Sequence, residues 1–212
     1  MHVDEFDIDM PLVAGLIASQ FPQWANLPLK SIESTGTSNA IYRLGDTLVV
    51  RLPRMLSSAS QIKKEQLWLP PLAPQLPLAI PVPLGQGVPD NSYPCVWSVY
   101  PWIEGENATA KCISNFHSTA EVLGRFVFTL RQIDCTHGPA AGEHNFFRGV
   151  PLIELDSKVR TALKSLQGTI DIPAATNAWE TTLSVPAWKE RPTWIHGDLH
   201  VGNLLARNGQ LS

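Results

Sequence analysis

The strongest local constraint in this chain is a pair of alternating runs closed by a turn. Ala40-Ile41-Tyr42-Arg43-Leu44 is β-prone, Gly45-Asp46 suits a hairpin turn, and Leu48-Val49-Val50-Arg51-Leu52 returns. Side chains alternate along a strand, so Leu48, Val50 and Leu52 share one face while Val49 and Arg51 share the other. The pattern predicts an antiparallel sheet with a buried side and a cation on the opposite side.

The flanking residues give that cation a purpose. Upstream lies Ser34-Thr35-Gly36-Thr37-Ser38-Asn39, small and polar. Gly36, Ser38 and Asn39 are the candidates there, because such a loop brings backbone N–H groups close to phosphates. An ordinary hairpin loop explains the same residues. A cation on this strand could reach a nucleotide's α/β-phosphates, a role a lysine usually fills, and the planar fork of Arg51 can grip phosphate or carboxylate bidentately. A solvated edge arginine is the plainer reading, and Arg54 competes for the role. Residues 60–69 read as a short helix ended by Pro70-Pro71, with Glu65 fourteen positions after Arg51. That spacing suits a helix glutamate paired with the strand cation, and equally a surface glutamate beside Lys63 and Lys64.

Before the hairpin, residues 9–24 open with a helix: Asp9 is the N-cap, Pro11 sits in the first turn, and Leu12, Val13, Leu16, Ile17 and Phe21 form its apolar face. After residue 70 a proline-rich stretch to Pro94 reads as extended segments and turns whose leucines need burial. Val96–Tyr100 is a buried-type strand leading into Pro101-Trp102-Ile103-Glu104-Gly105, where a hinge belongs. Adenine recognition needs one backbone C=O and one N–H, which Pro101 and Ile103 supply. From Ser118 the chain turns helical, with a capping box to Glu121 and a stripe of Leu123, Phe126, Val127, Leu130 and Ile133. Residues 155–166 form another amphipathic helix ended by Gly168, and a shorter one covers 174–183.

Composition narrows the classes. A net charge of −3 gives no basis for a nucleic-acid or membrane-surface partner, and no apolar run approaches a membrane span. Three cysteines without C-x-x-C spacing point to reduced thiols and the cytoplasm. With 44% hydrophobic and 17% charged residues over 212 positions, the chain can bury a sizeable core. Oligomeric state is not legible.

Near the end stands His196-Gly197-Asp198-Leu199-His200-Val201-Gly202-Asn203, an H-x-D-L-x-x-x-N string with the spacing of a kinase catalytic loop. There Asp198 accepts the proton of a substrate hydroxyl and Asn203 holds Mg²⁺. Thr193-Trp194-Ile195 and Leu204-Leu205-Ala206 are both β-prone, so two strands are expected to clamp the loop. Two other readings remain open: turn-forming Asp and Asn, or a hydrolytic metal centre of His196, Asp198 and His200.

Taken together, Gly36-Thr37-Ser38-Asn39, Val50-Arg51-Leu52-Pro53-Arg54, Lys64-Glu65-Gln66, Trp102-Ile103-Glu104-Gly105-Glu106 and the 196–205 string resemble the aminoglycoside phosphotransferase (choline kinase-like) family. Val201 stands where that family often has proline. The resemblance implies an α+β, protein-kinase-like two-lobed fold: a small antiparallel-sheet N-lobe with a helix over 1–100, a hinge over 101–105, and a mostly helical, incomplete C-lobe over 106–212. It implies ATP-dependent phosphorylation of a small-molecule hydroxyl, with Asp198 as base, Asn203 on Mg²⁺, and Arg51 with Glu65 as the phosphate-anchoring pair. The family continues with a strand bearing a second metal-binding Asp, whereas this chain stops at Ser212 with an Asn208-Gly209 hairpin signal and three residues to return. Two function classes follow: a small-molecule kinase seen as a shortened chain, or a catalytically inactive kinase-like binding or interaction module.

Overall fold

The computed structural model describes residues 5–32 and 38–212, so the expectation placed on Gly36 lies outside the described residues. The chain forms two compact units, one running through Ile133 and resuming over Asp198–Ser212, the other covering Asp134–Gly197.

The first unit opens with α1 (Met10–Gln20), capped as expected by Asp9, whose carboxylate accepts the Leu12 N–H at 2.9 Å. Strands β1 (Leu29–Ile32), β2 (Asn39–Leu44) and β3 (Leu48–Pro53) follow, then α2 (Leu56–Leu72), β4 (Gly85–Gly87) and β5 (Trp97–Pro101). The five strands form one antiparallel sheet in the order β1-β2-β3-β5-β4. Its registers pair Ile41 with Arg51 and Arg51 with Ser98. One face carries Tyr42, Leu44, Leu48, Val50, Leu52, Trp97 and Val99, and α1 covers it with Val13, Leu16 and Ile17. Each such side chain contributes about 1.5–3 kcal/mol on full burial.

One local expectation is corrected here. The helix expected over 60–69 begins at Leu56 and runs through Pro70 and Pro71 to Leu72. Each proline forfeits its own N–H bond and crowds the carbonyl four residues back, and with both in the last turn little helix remains beyond them to be deflected. The turn is closed beyond them by the Ala73 N–H on the Leu69 carbonyl. Within the proline-rich stretch, Gly85-Gln86-Gly87 forms the edge strand β4. A Cβ at Gly85 would lie 2.8 Å from the Phe21 ring, and one at Gly87 would overlap the Trp97 indole. Small residues let this strand lie flat against aromatic rings.

Beyond the sheet come β6 (Glu106–Asn107) and α3 (Phe116–Gln132). The α3 cap is Asn115, whose side chain accepts the Ser118 N–H, so the helix begins before the expected Ser118. Phe126 and Leu130 of the expected stripe are buried.

The second unit holds α4 (Asp156–Ser165) and α5 (Ile172–Leu183), neither with a fully buried residue. Polar contacts join them. Asp156 accepts from Arg160 Nε at 2.9 Å and from Trp179 Nε1 at 2.8 Å, and Arg160 Nη1 lies 3.4 Å from Glu180.

The chain closes in the first unit with β7 (Leu205–Arg207) and β8 (Gln210–Leu211), which join β6 in a second antiparallel sheet, β6-β7-β8. Asn208 and Gly209 have φ of +53° and +82°, the left-handed pair that the Asn-Gly signal calls for. Among the described residues no helix is long and apolar enough to cross a membrane.

Candidate functional site

Arg51 lies on the sheet face opposite the α1 core, alongside Ser98 and Tyr100 of β5. Helix α2 covers this face with two consecutive polar residues. Glu65 Oε2 accepts from Arg51 Nη1 at 3.0 Å and from the Tyr100 hydroxyl at 2.5 Å. Gln66 Nε2 donates to Ser98 Oγ at 2.8 Å and to the Trp97 carbonyl at 3.1 Å. The Arg51 and Glu65 side chains are 25% and 23% exposed, and Tyr100 is fully buried. Burial, then the Glu65 carboxylate beside it, pushes the Tyr100 phenol above its ordinary range, so the hydroxyl stays a donor. The Arg54 charge acts on the Tyr42 phenol, which burial raises above its ordinary range and whose hydroxyl donates to the Ile8 carbonyl at 2.7 Å. Between the two arginines, Arg51 is the one joined to Glu65.

Tyr100 was not singled out in the sequence. The available signal was its position two residues beyond Ser98, on a strand next to that of Arg51, where period-2 alternation gives both one face. Ser38 is exposed, its carbonyl accepting the Arg54 N–H at 2.9 Å, and Asn39 begins β2 opposite Pro53. The Asn39 Oδ1 is buried without a hydrogen-bond partner among the described residues.

The loop before β7 is built by its own side chains. His200 caps a short 3-10 turn, Val201–Asn203, with Nδ1 accepting the Gly202 N–H at 3.1 Å. The Asn203 N–H donates to the His200 carbonyl at 2.9 Å. Asn203 Nδ2 donates to both the Asp198 carbonyl at 2.9 Å and the Asp198 carboxylate at 3.1 Å. This bond leaves the amide oxygen Oδ1 as the free end of the Asn203 side chain, an uncharged hard oxygen beside a carboxylate, which is donor chemistry that suits Mg²⁺. Both residues are exposed. Only one of the two expected clamping strands forms. Leu205 and Ala206 pair with Asn107 and Glu106 of β6, while residues 193–195 join no ladder and Trp194 Nε1 donates to the Asp134 carbonyl at 3.0 Å. The β-prone composition there found no strand to pair with. The hydrolytic alternative needs a cluster of ligands, and among the described residues no three His, Cys, Asp or Glu side chains group to hold a metal ion.

Residues 101–105 connect these two clusters within the first unit. Pro101 ends β5, the Trp102 N–H donates to the Thr47 carbonyl at 2.7 Å, and Ile103 follows, half-buried. Gly105 has φ +152°, and a Cβ there would meet the Ala206 carbonyl oxygen at 3.0 Å. The chain therefore passes from the sheet bearing Arg51 to β6, which pairs with the strand that follows the Asp198 loop.

Comparison with known proteins bears on this arrangement. Stress response kinase A of Escherichia coli K12 is 26% identical over 195 residues, covering 87% of this chain and 56% of the relative, so the chain spans about half the length of the curated relatives it matches. The GDP complex of wild-type aminoglycoside 2′-phosphotransferase-IIIa superposes with a TM-score of 0.70 at 19% identity, over 96% of this chain and 71% of that one. The macrolide 2′-phosphotransferase of Brachybacterium faecium gives 0.59 at 22% identity, over 95% and 69%. These likenesses identify the fold as the α+β, protein-kinase-like one. Residues 31–212 match the family model described as the phosphotransferase enzyme family, and the chain belongs to that family.

Proposed function

We propose that the protein moves the γ-phosphoryl group of ATP to a hydroxyl of a small molecule, aminoglycoside-like or another small alcohol. In this reading residues 1–100 form the nucleotide lobe, 101–105 the hinge, and 106–212 part of the acceptor lobe. Arg51, held in place by Glu65, binds the α/β-phosphates. The backbone at Gly36, Ser38 and Asn39 lines the phosphates, and the Pro101 C=O with the Ile103 N–H receives the adenine edge. Asp198 orients the acceptor hydroxyl and takes its proton as the new O–P bond forms and the bond to the β–γ bridging oxygen breaks, releasing ADP. Asn203 Oδ1, with phosphate oxygens, would hold Mg²⁺, which supplies charge neutralisation on the phosphates when bound. Three unpaired cysteines and the absence of a span-length apolar helix among the described residues support a cytoplasmic location.

The observation that carries this reading is the Asn203-to-Asp198 amide–carboxylate bond at 3.1 Å. One loop holds the proton acceptor and the candidate metal ligand in a fixed mutual geometry, and positioning is most of what phosphoryl transfer demands. The test is Asp198→Asn, assayed as ADP release against a panel of hydroxyl compounds and as a thermal shift with Mg²⁺ and ATP. The variant should retain the shift and lose turnover by about 10²–10⁴-fold, the usual contribution of a general base. Undiminished turnover rules out Asp198 as the base. A protein that binds ATP in both forms but never turns over is instead a nucleotide-binding module.

A further inference from the structure

One side chain fastens the crossing segment to the sheet. The guanidinium carbon of Arg43, on β2, lies 3.8 Å from the centroid of the Trp102 ring. Its Nη2 is 3.4 Å from Glu104 Oε1 and donates to the Asp46 carbonyl in the β2–β3 turn. The same turn accepts the Trp102 N–H on the Thr47 carbonyl at 2.7 Å. Ile103 thus lies between two residues that Arg43 grips at once, one by its ring and one by its carboxylate. At the far end the segment meets β7 closely at Gly105, and Ser212 Oγ lies 3.4 Å from the Glu104 carbonyl.

We propose that Arg43 is a positioning residue for the nucleoside base: it holds the backbone of Pro101–Ile103 in the conformation that presents one acceptor and one donor to a purine edge. This inference rests on the nucleotide reading above. Glu104 is 58% exposed, and an exposed ion pair contributes little alone. The stack, the carboxylate and the turn carbonyl together need a flat cation with several donors, which arginine supplies and lysine does not. A segment pinned at Trp102 and Glu104 has less freedom to lose when a ligand docks on it, so its affinity gain is one of preorganisation. Phosphate binding at Arg51 does not pass through these contacts. Loss of Arg43 therefore affects the base half of a nucleotide and spares the phosphate half.

The experiment compares ATP with inorganic tripolyphosphate, each with Mg²⁺, by calorimetric titration of the folded chain. Arg43→Ala should weaken ATP about three- to tenfold, the fold-change that loss of a partly exposed cation–π contact brings, and leave tripolyphosphate unchanged. Trp102→Phe keeps a ring and should stay close to wild type, whereas Arg43→Lys should fall between. Trp102→Ala removes the stack itself and serves as a second probe if Arg43→Ala is poorly folded: an ATP-only loss supports the proposal, and none or an equal loss for both ligands sinks it. Equal weakening of both ligands by Arg43→Ala, or of neither, overturns the role of Arg43 while leaving nucleotide binding intact. Wild-type protein that binds no ATP removes the nucleotide reading and this inference with it.

Discussion

Replacing Tyr100 with Phe removes one hydroxyl from the interior and little else. The ring remains, and with it the Arg51 guanidinium at 5.4 Å from its centroid. What disappears is the 2.5 Å donation to Glu65 Oε2, leaving that oxygen with Arg51 at 3.0 Å. A hydrogen bond to a charged group contributes about 1.5–3 kcal/mol. Glu65 is 23% exposed, so water can replace part of the lost donor, and the expected cost is about 1–2 kcal/mol. In a chain of this size that lowers Tm by roughly 3–6 °C. Urea denaturation followed by tryptophan fluorescence should show a reduced midpoint at unchanged slope. A double-mutant cycle with Glu65→Gln should give a coupling energy of about 1 kcal/mol or more, because the two groups touch. The phenol also has a pH signature. Its folded pKa is raised above the ordinary 10.0, so the stabilisation is fully present below pH 10 and is lost as pH rises toward the folded value. Wild-type stability should therefore fall above pH 10, and Tyr100→Phe should fall less steeply. A variant indistinguishable from wild type, with additive effects in the cycle, would falsify the claim that Tyr100 holds Glu65.

Gly105→Ala should destabilise by roughly 1–3 kcal/mol, because φ of +152° disfavours any side chain and the new methyl presses on the Ala206 carbonyl at 3.0 Å. Chemical denaturation measures it, and a neutral result would mean the segment rearranges freely. In the second unit, donation from Trp179 and Arg160 holds the Asp156 carboxyl below its ordinary 3.8. The tie between α4 and α5 is therefore present above pH 3.8 and lost as pH falls through the lowered value. Asp156→Asn should remove that acid-side step in the far-ultraviolet signal of helix unfolding, and an unchanged acid profile would show that another group controls it.

Much of the candidate site could be read from the chain because it is local. The Asp198–Asn203 loop closes through bonds spanning five residues or fewer, so its motif carries its geometry. The Asn208-Gly209 turn and the Asp9 cap depend on backbone preferences of one or two residues. Arg51 could be assigned a face from alternation alone, whereas its fourteen-residue spacing to Glu65 fitted an ion pair and a surface glutamate equally, and only the 3.0 Å contact decides between them.

Other features depend on partners distant in sequence. The hydroxyl of Tyr100 meets a carboxylate thirty-five residues away, and nothing near Tyr100 announces it. Gly85-Gln86-Gly87 has poor strand propensity, yet it becomes an edge strand because only glycine fits beneath Phe21 and Trp97. Thr193-Trp194-Ile195 has good strand propensity and forms none, since a strand needs a neighbour whose hydrogen bonds are unspent. The sequence by itself therefore determined which residues alternate, cap and turn, since these follow from torsional preference and side-chain period. The tertiary structure alone decided which of those faces meet: hydrogen-bond saturation and close packing are properties of two segments together, not of either one.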